Sequence, residues 1–191
     1  MQVEFEPFFY PKIGDSSVWV KVPKEAKRHP WFVLEKVHGS CFLMATNGVD
    51  VRCAKRTAWL EENDGYHDVT KLVDEYSERL KKLHAVLNAN PAGGVTYVFG
   101  ELYGSEIQDE IFYGVPHMSF IVFDVACNKV FVDYSKVLEA CADAGMPCLQ
   151  PLFKGPMEKC LAYKVDFVST IPKMHNSQAE SKAEGVVVSR S

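Results

Sequence analysis

Between Trp31 and Lys55 the chain presents three apolar runs, Trp31 to Val37, Cys41 to Thr46 and Val49 to Lys55, broken only by a tight-turn glycine at Gly39 and by Asn47-Gly48. Asn-Gly between two strand-like runs is the strongest short hairpin signal, because both residues tolerate the positive φ that a tight turn demands. The second and third runs are therefore expected to pair antiparallel, with Trp31 to Val37 feeding the hairpin. A helix follows: Val69, Leu72, Val73, Tyr76, Leu80, Leu83 and Leu87 recur at three- and four-residue spacing. Asp68 or Thr70 is available as its cap, and Asn90-Pro91-Ala92-Gly93-Gly94 stops it.

Val95 to Leu102 and Ser119 to Val125 read as buried strands, and Lys129 to Asp133 as another. Two shorter helices are expected over Ser135 to Ala144, ending at Gly145, and over Met157 to Tyr163. Lys173 to Ala183 is polar and turn-like, and Glu184 to Ser189 closes the chain as a strand. Helices are inserted between strands without regular β-α alternation and without internal repeats, which predicts an α+β domain built on mainly antiparallel sheet. At 191 residues the chain suits one domain with its own core, needing no metal or disulfide staple to fold.

The six cysteines (Cys41, Cys53, Cys127, Cys141, Cys148, Cys160) never fall at Cys-x-x-Cys spacing and the six histidines are scattered, so zinc-site and disulfide-framework readings lose support. Reduced thiols, a start without the basic and apolar segments of a signal peptide, and no uninterrupted apolar run of about 18 residues predict an intracellular, cytoplasmic protein away from the membrane. A net charge of −4 argues against coating nucleic acid through bulk positive charge, so a polyanion must meet a local basic patch. Lys21, Lys24, Lys27 and Arg28 read as a solvated face. Arg52, Lys55 and Arg56 interrupt a strand pattern and are the better candidate.

Glu35-Lys36-Val37-His38-Gly39-Ser40 sets a lysine among apolar strand residues just before that turn. Apolar surroundings and neighbouring cations favour a neutral amine, the form that attacks phosphorus or carbonyl carbon. Neither Gly-x-x-x-x-Gly-Lys-[Ser/Thr] nor Gly-x-Gly-x-x-Gly occurs, so any nucleotide must be held by a scheme other than the P-loop or the Rossmann turn.

In chain order the sequence offers Glu35 to Ser40, Cys53-Ala54-Lys55-Arg56-Thr57, Phe99-Gly100-Glu101-Leu102-Tyr103-Gly104, Phe120-Ile121-Val122-Phe123-Asp124 and Ala183-Glu184-Gly185-Val186-Val187-Val188. These five ordered blocks, spanning residues 31 to 190, resemble the adenylyltransferase domain of the covalent nucleotidyltransferases, an ATP-grasp-like ligase fold, and among them the RNA ligase 2 family that includes RNA-editing ligases. The Cys53 to Thr57 block, with His38 where DNA ligases usually carry Asp, favours an RNA ligase over its relatives.

The resemblance implies ATP as AMP donor, Mg²⁺ or Mn²⁺ as metal, and RNA ends, nicked or bridged, as partners. It makes Lys36 the nucleophile and Glu184 the metal ligand, with His38 acting on phosphate or the RNA end, or simply capping its turn. Glu101 follows a glycine at the end of an apolar strand, where its carboxylate can accept hydrogen bonds from ribose hydroxyls. By the same resemblance Phe123 stacks on adenine while Phe120 stays in the core, and the backbone at Glu35 and Val37 reads the adenine edge. Arg56 is implied at the ribose or the RNA 3′ end, with Lys55 close to phosphate.

Three positions depart from the family's pattern. Cys41 stands where Asn is common, Ser189 stands where a lysine usually follows the glutamate of the last block, and the chain stops at Ser191, before the Lys-x-Lys strand that clasps the α-phosphate. The expectation is one adenylyltransferase domain over residues 1 to 191, lacking that strand and any C-terminal domain or partner that completes it. The alternatives are a non-ligating nucleotide- or RNA-end-binding remnant of the fold, a capping guanylyltransferase and a DNA ligase relative.

Overall fold

A computed structural model of the chain describes residues 4–14, 22–27, 29–61, 64–67, 69–88, 93–108 and 110–190. Asp68, Asn90-Pro91-Ala92, Lys21 and Arg28, named above as cap, helix stop and basic cluster, lie outside the described residues, as do the side chains of Lys24 and Arg190. In chain order the elements are α1 (Lys24–Lys27), β1 (Trp31–Lys36), β2 (Ser40–Thr46), β3 (Val51–Lys55), α2 (Thr70–Leu87), β4 (Thr96–Tyr103), β5 (Ser119–Cys127), β6 (Val130–Phe131), α3 (Tyr134–Ala144), β7 (Phe153–Gly155), α4 (Met157–Leu161), α5 (Ile171–Met174) and β8 (Gly185–Arg190). Among the described residues the strands form a three-stranded sheet in the order β7-β1-β8 and a five-stranded sheet in the order β3-β2-β4-β5-β6. Every pairing between these strands is antiparallel, as the α+β reading requires.

Both sheets are covered on two faces, which explains why their central strands read as unbroken apolar runs. On β1, Phe32 and Leu34 join the main core with α2 and α3, while Trp31 and Val33 pack on Met157 and Cys160. On β2, Phe42 and Met44 face that same main core. Leu43 and Ala45 face the other way, where Phe5, Phe8, Phe9 and Tyr10 of the N-terminal segment close the sheet. The helical periodicity of α2 buries Leu72, Tyr76, Leu80, Leu83 and His84.

Local details differ from the sequence reading for identifiable reasons. The β2–β3 loop spans Asn47 to Asp50, because Thr46 pairs with Val51 and Val49 is 73% exposed. Asn47 Oδ1 accepts from the amides of Val49 (3.0 Å) and Asp50 (2.8 Å), a side-chain turn that replaces the tight two-residue form. Thr70 is the first helical residue of α2 and Val69 the uncapped N-terminus. Lys129 leaves the expected strand for the turn before β6, where Asn128 and Lys129 both have positive φ (51° and 65°). Helix α3 is capped by Asp133, which accepts from the Ser135 amide, and ends at left-handed Gly145 as expected. Helix α4 stops at Leu161, short of Tyr163, and α1, α5 and β7 are too short to show a period.

Candidate active site

Register alone brings together two residues far apart in the chain. Lys36 at the end of β1 pairs with Gly185 at the start of β8, so Glu184 arrives beside the lysine side chain. Lys36 Nζ donates to Glu184 Oε1. Glu184 Oε2 also faces His38 Nδ1 at 3.3 Å, and the other ring nitrogen of His38 lies 3.1 Å from Glu110. The His38 amide donates to the Tyr113 hydroxyl (2.9 Å). Gly39 is required here: a Cβ on it would sit 1.9 Å from the Leu102 carbonyl oxygen, so only glycine lets the turn pass this close to β4.

Beside this cluster lies a cavity of about 290 Å³. Its walls include Lys36, Val37, Arg56, Glu101 and Phe123, five positions from four separate blocks of the sequence, together with Cys41. Glu101 on β4 stands opposite Cys41 on β2. Burial pushes the Glu101 carboxyl up to about 8, against the pull of Lys36, with Glu184 adding to the rise. Burial likewise lifts the Cys41 thiol to about 11, with Glu101 raising and Arg56 lowering it. A thiol so placed is a poor nucleophile.

Phe123 reaches the cavity through a bulge. Phe99 pairs with Asp124 and Gly100 with Val122, leaving Phe123 without a partner across the ladder. The extra residue turns the ring out of strict alternation, where it meets Tyr10 edge-on at 4.9 Å. Phe120 stays in the core at 1% exposure, over Gly100.

Glu35 lines the cavity with its side chain turned away, whereas Lys55 lies elsewhere. The Glu35 carboxylate is buried and accepts from the Ser169 hydroxyl and from the Thr170 amide (2.7 Å) and hydroxyl (2.6 Å), which ties it to the loop before α5 and leaves the Glu35 backbone at the cavity. Lys55 is not brought to the cavity. Its Nζ pairs with Asp64 (2.7 Å) and lies 5.2 Å from the Tyr66 ring, on the face opposite Arg56.

Sequence reasoning missed Tyr10 and Lys12, which line the cavity from the N-terminal segment, as well as Tyr113, Ser169 and Thr170. Four aromatics in the first ten residues were the available signal for that segment; nothing in the sequence marked the other three. Among the described residues no group of three or more His, Cys, Asp or Glu side chains is arranged to hold a metal ion, and no helix is long and apolar enough to cross a membrane.

The fold is that of nucleotidyltransferase RNA ligases. A point mutant of Naegleria gruberi RNA ligase with AMP and manganese superposes with a TM-score of 0.67 at 20% identity, over 97% of this chain and 54% of that one. A second AMP and manganese structure of the same enzyme gives 0.66 at 16% identity, and an apo form gives 0.64 at 19%, each over 87% of this chain and 48% of that chain. The chain thus spans about half the length of that enzyme. The RNA ligase family profile matches residues 29–190, and the chain belongs to that family.

Proposed function

We propose that this chain is the adenylyltransferase domain of an ATP-dependent RNA ligase of the RNA ligase 2 type, acting through a covalent lysyl-AMP. The observation that carries the reading is the convergence of Lys36, Glu101 and Phe123 on one cavity, with Glu184 paired to Lys36 beside it. The Naegleria enzyme, whose fold this chain shares, was solved with ATP and manganese. In the first step the free amine of Lys36 attacks the α-phosphorus of ATP. A P–N bond forms, the bond to the bridging oxygen breaks, pyrophosphate leaves with its electrons, and the amine proton is lost to solvent. An RNA 5′-phosphate oxygen then takes the AMP from Lys36, which regains a proton, and a 3′-hydroxyl finally displaces AMP to close the strand. Catalysis of such loose transition states rests on positioning and charge.

Each residue has a part in this scheme. Phe123 offers a stacking face for adenine, Glu101 a ribose contact, Arg56 a guanidinium fork for ribose or an RNA end, and the backbone at Glu35 and Val37 the base edge. His38 sits where it can meet phosphate, beside Glu184. A single carboxylate suits Mg²⁺ or Mn²⁺, which bind through one or two carboxylates with substrate phosphates and water completing the shell. Glu184 would hold it, giving up its contact with Lys36, and the metal would supply neutralising charge to the phosphates. A second reading, a non-ligating nucleotide- or RNA-end-binding domain, is favoured by Ser189, which lines the cavity where the family places a lysine.

Incubation with α-labelled ATP and Mg²⁺ tests the choice. Label should appear on the wild-type chain and vanish in Lys36→Ala. Glu184→Ala should also lose most of it with little change in thermal unfolding, because the pair it makes with Lys36 is largely solvent-exposed. Binding of ATP without labelling would favour the second reading, and equal labelling from GTP would favour a capping guanylyltransferase.

A further inference from the structure

The N-terminal segment, Glu4 to Gly14, has no regular secondary structure, yet it is fastened to the five-stranded sheet at several points. Tyr97 donates its hydroxyl hydrogen bond to the Glu6 carbonyl (2.9 Å), and Lys129 pairs with the Glu6 carboxylate. The Phe8 ring lies edge-on to Tyr97 at 5.2 Å. Tyr10 packs on Phe99 and Phe123 and donates to Asp124 Oδ2 (3.1 Å). Pro11 follows with its φ fixed by the ring. The Lys12 backbone is thus at most roughly 7 Å along the chain from a pinned ring, and its side chain lines the cavity.

The charges around the cavity are unevenly satisfied. Lys36 has Glu184, and the Glu35 carboxylate is turned to Ser169 and Thr170. Burial holds the Glu101 carboxyl largely protonated near neutral pH. Lys12 and Arg56 have no ion pair or hydrogen bond among the described residues. Two uncompensated cations on one cavity with an aromatic wall fit a ligand that carries a base at one end and several negative charges at the other.

We propose that Lys12 binds the phosphate chain of the nucleotide in this cavity, a cation delivered by a segment outside the five blocks that carry the resemblance. The proposal rests on the reading of the cavity as an ATP site. Its role is electrostatic: a mobile ammonium on an anchored backbone follows the charge of the β- and γ-phosphates and neutralises the pyrophosphate as it forms. Arg56 lines the same cavity and acts electrostatically on Cys41.

Calorimetric titration of the chain with ATP, AMP and adenosine in the presence of Mg²⁺ tests it on the wild type, Lys12→Ala, Lys12→Glu and Lys12→Arg. ATP affinity should fall about tenfold in the alanine variant and further in the glutamate variant, while adenosine binding changes less than about twofold and arginine restores ATP binding. Thermal unfolding should be unchanged, since Lys12 is exposed. Equal losses for ATP and adenosine would make Lys12 part of the base wall, and no loss for ATP would remove it from the site; either overturns the proposal while leaving the ATP reading intact. A wild type that binds neither ATP nor adenosine overturns both.

Discussion

Replacing Glu101 by Gln should stabilise the unliganded domain, and do so more strongly as the pH rises. Glu101 stands among cavity walls of β2 and β4 and its carboxyl is shifted from the ordinary 4.5 to about 8, chiefly by burial. Below pH 4.5 the folded and unfolded chains both hold the proton and the residue is neutral to stability. Between 4.5 and 8 the unfolded chain ionises while the folded one keeps its proton, so stability falls as pH rises, and above 8 the penalty is constant. At about 1.4 kcal/mol per pH unit, the full window corresponds to as much as about 5 kcal/mol. Attraction to Lys36 and access of water from the cavity mouth reduce this, and about 2 to 4 kcal/mol is expected. Glutamine has the shape of the protonated acid and no such dependence. Urea unfolding of wild type and Glu101→Gln at pH 5, 7 and 8.5 should give a stability difference that widens across the series in favour of Gln. The same variant should label less well with ATP if the carboxyl contacts ribose. A difference that stays flat with pH would mean that Glu101 ionises in the fold like a surface carboxylate, and the buried-site argument would fail.

Two further outcomes separate structural from chemical roles. Glu35→Ala should destabilise by about 2 to 3 kcal/mol, because it removes a buried acceptor of three hydrogen bonds and strands the Ser169 and Thr170 donors; a well-folded Glu35→Ala variant that fails to label would assign the side chain to the nucleotide instead. Arg56→Ala should weaken ATP or RNA-end binding several-fold while Lys55→Ala leaves lysyl-AMP formation within about twofold of wild type, a contrast readable in one labelling experiment and reversed if Lys55 swings from Asp64 to the cavity.

The parts of the fold legible in the sequence are those where a single physical cause fills several consecutive positions. β1 and β2 are covered on both faces, so they appear as unbroken apolar runs, and α2 buries one stripe, so its leucines recur with the helical period. The N-terminal segment was opaque because its aromatics dock one by one on the sheet, with Pro7 and Pro11 denying them any period. β7 and α5 are shorter than the windows over which periodicity can be judged. Glu184 illustrates a different limit: nothing in its local sequence marks it as a partner of Lys36, and only the β1–β8 register, or resemblance to a family whose blocks record that register, joins them.

Lys55 and Arg56 show that some of the missing information was available from geometry alone. Grouped with Arg52 they look like one basic patch, yet successive residues at a strand end point to opposite faces. Lys55 pairs across the ladder with Phe42, which faces the main core side and Tyr66, whereas Arg56 falls on the side of Cys41 and the cavity. A cluster of cations in a strand sequence is therefore two half-clusters, and only the half that shares parity with Cys41 can meet a ligand bound beside Lys36. The same parity places Arg52 over Trp59 at 4.7 Å, where the guanidinium is spent on an aromatic face. What remains to face an anion from this block is Arg56, and Lys12 of the N-terminal segment is a second cation on the cavity without an ion pair among the described residues.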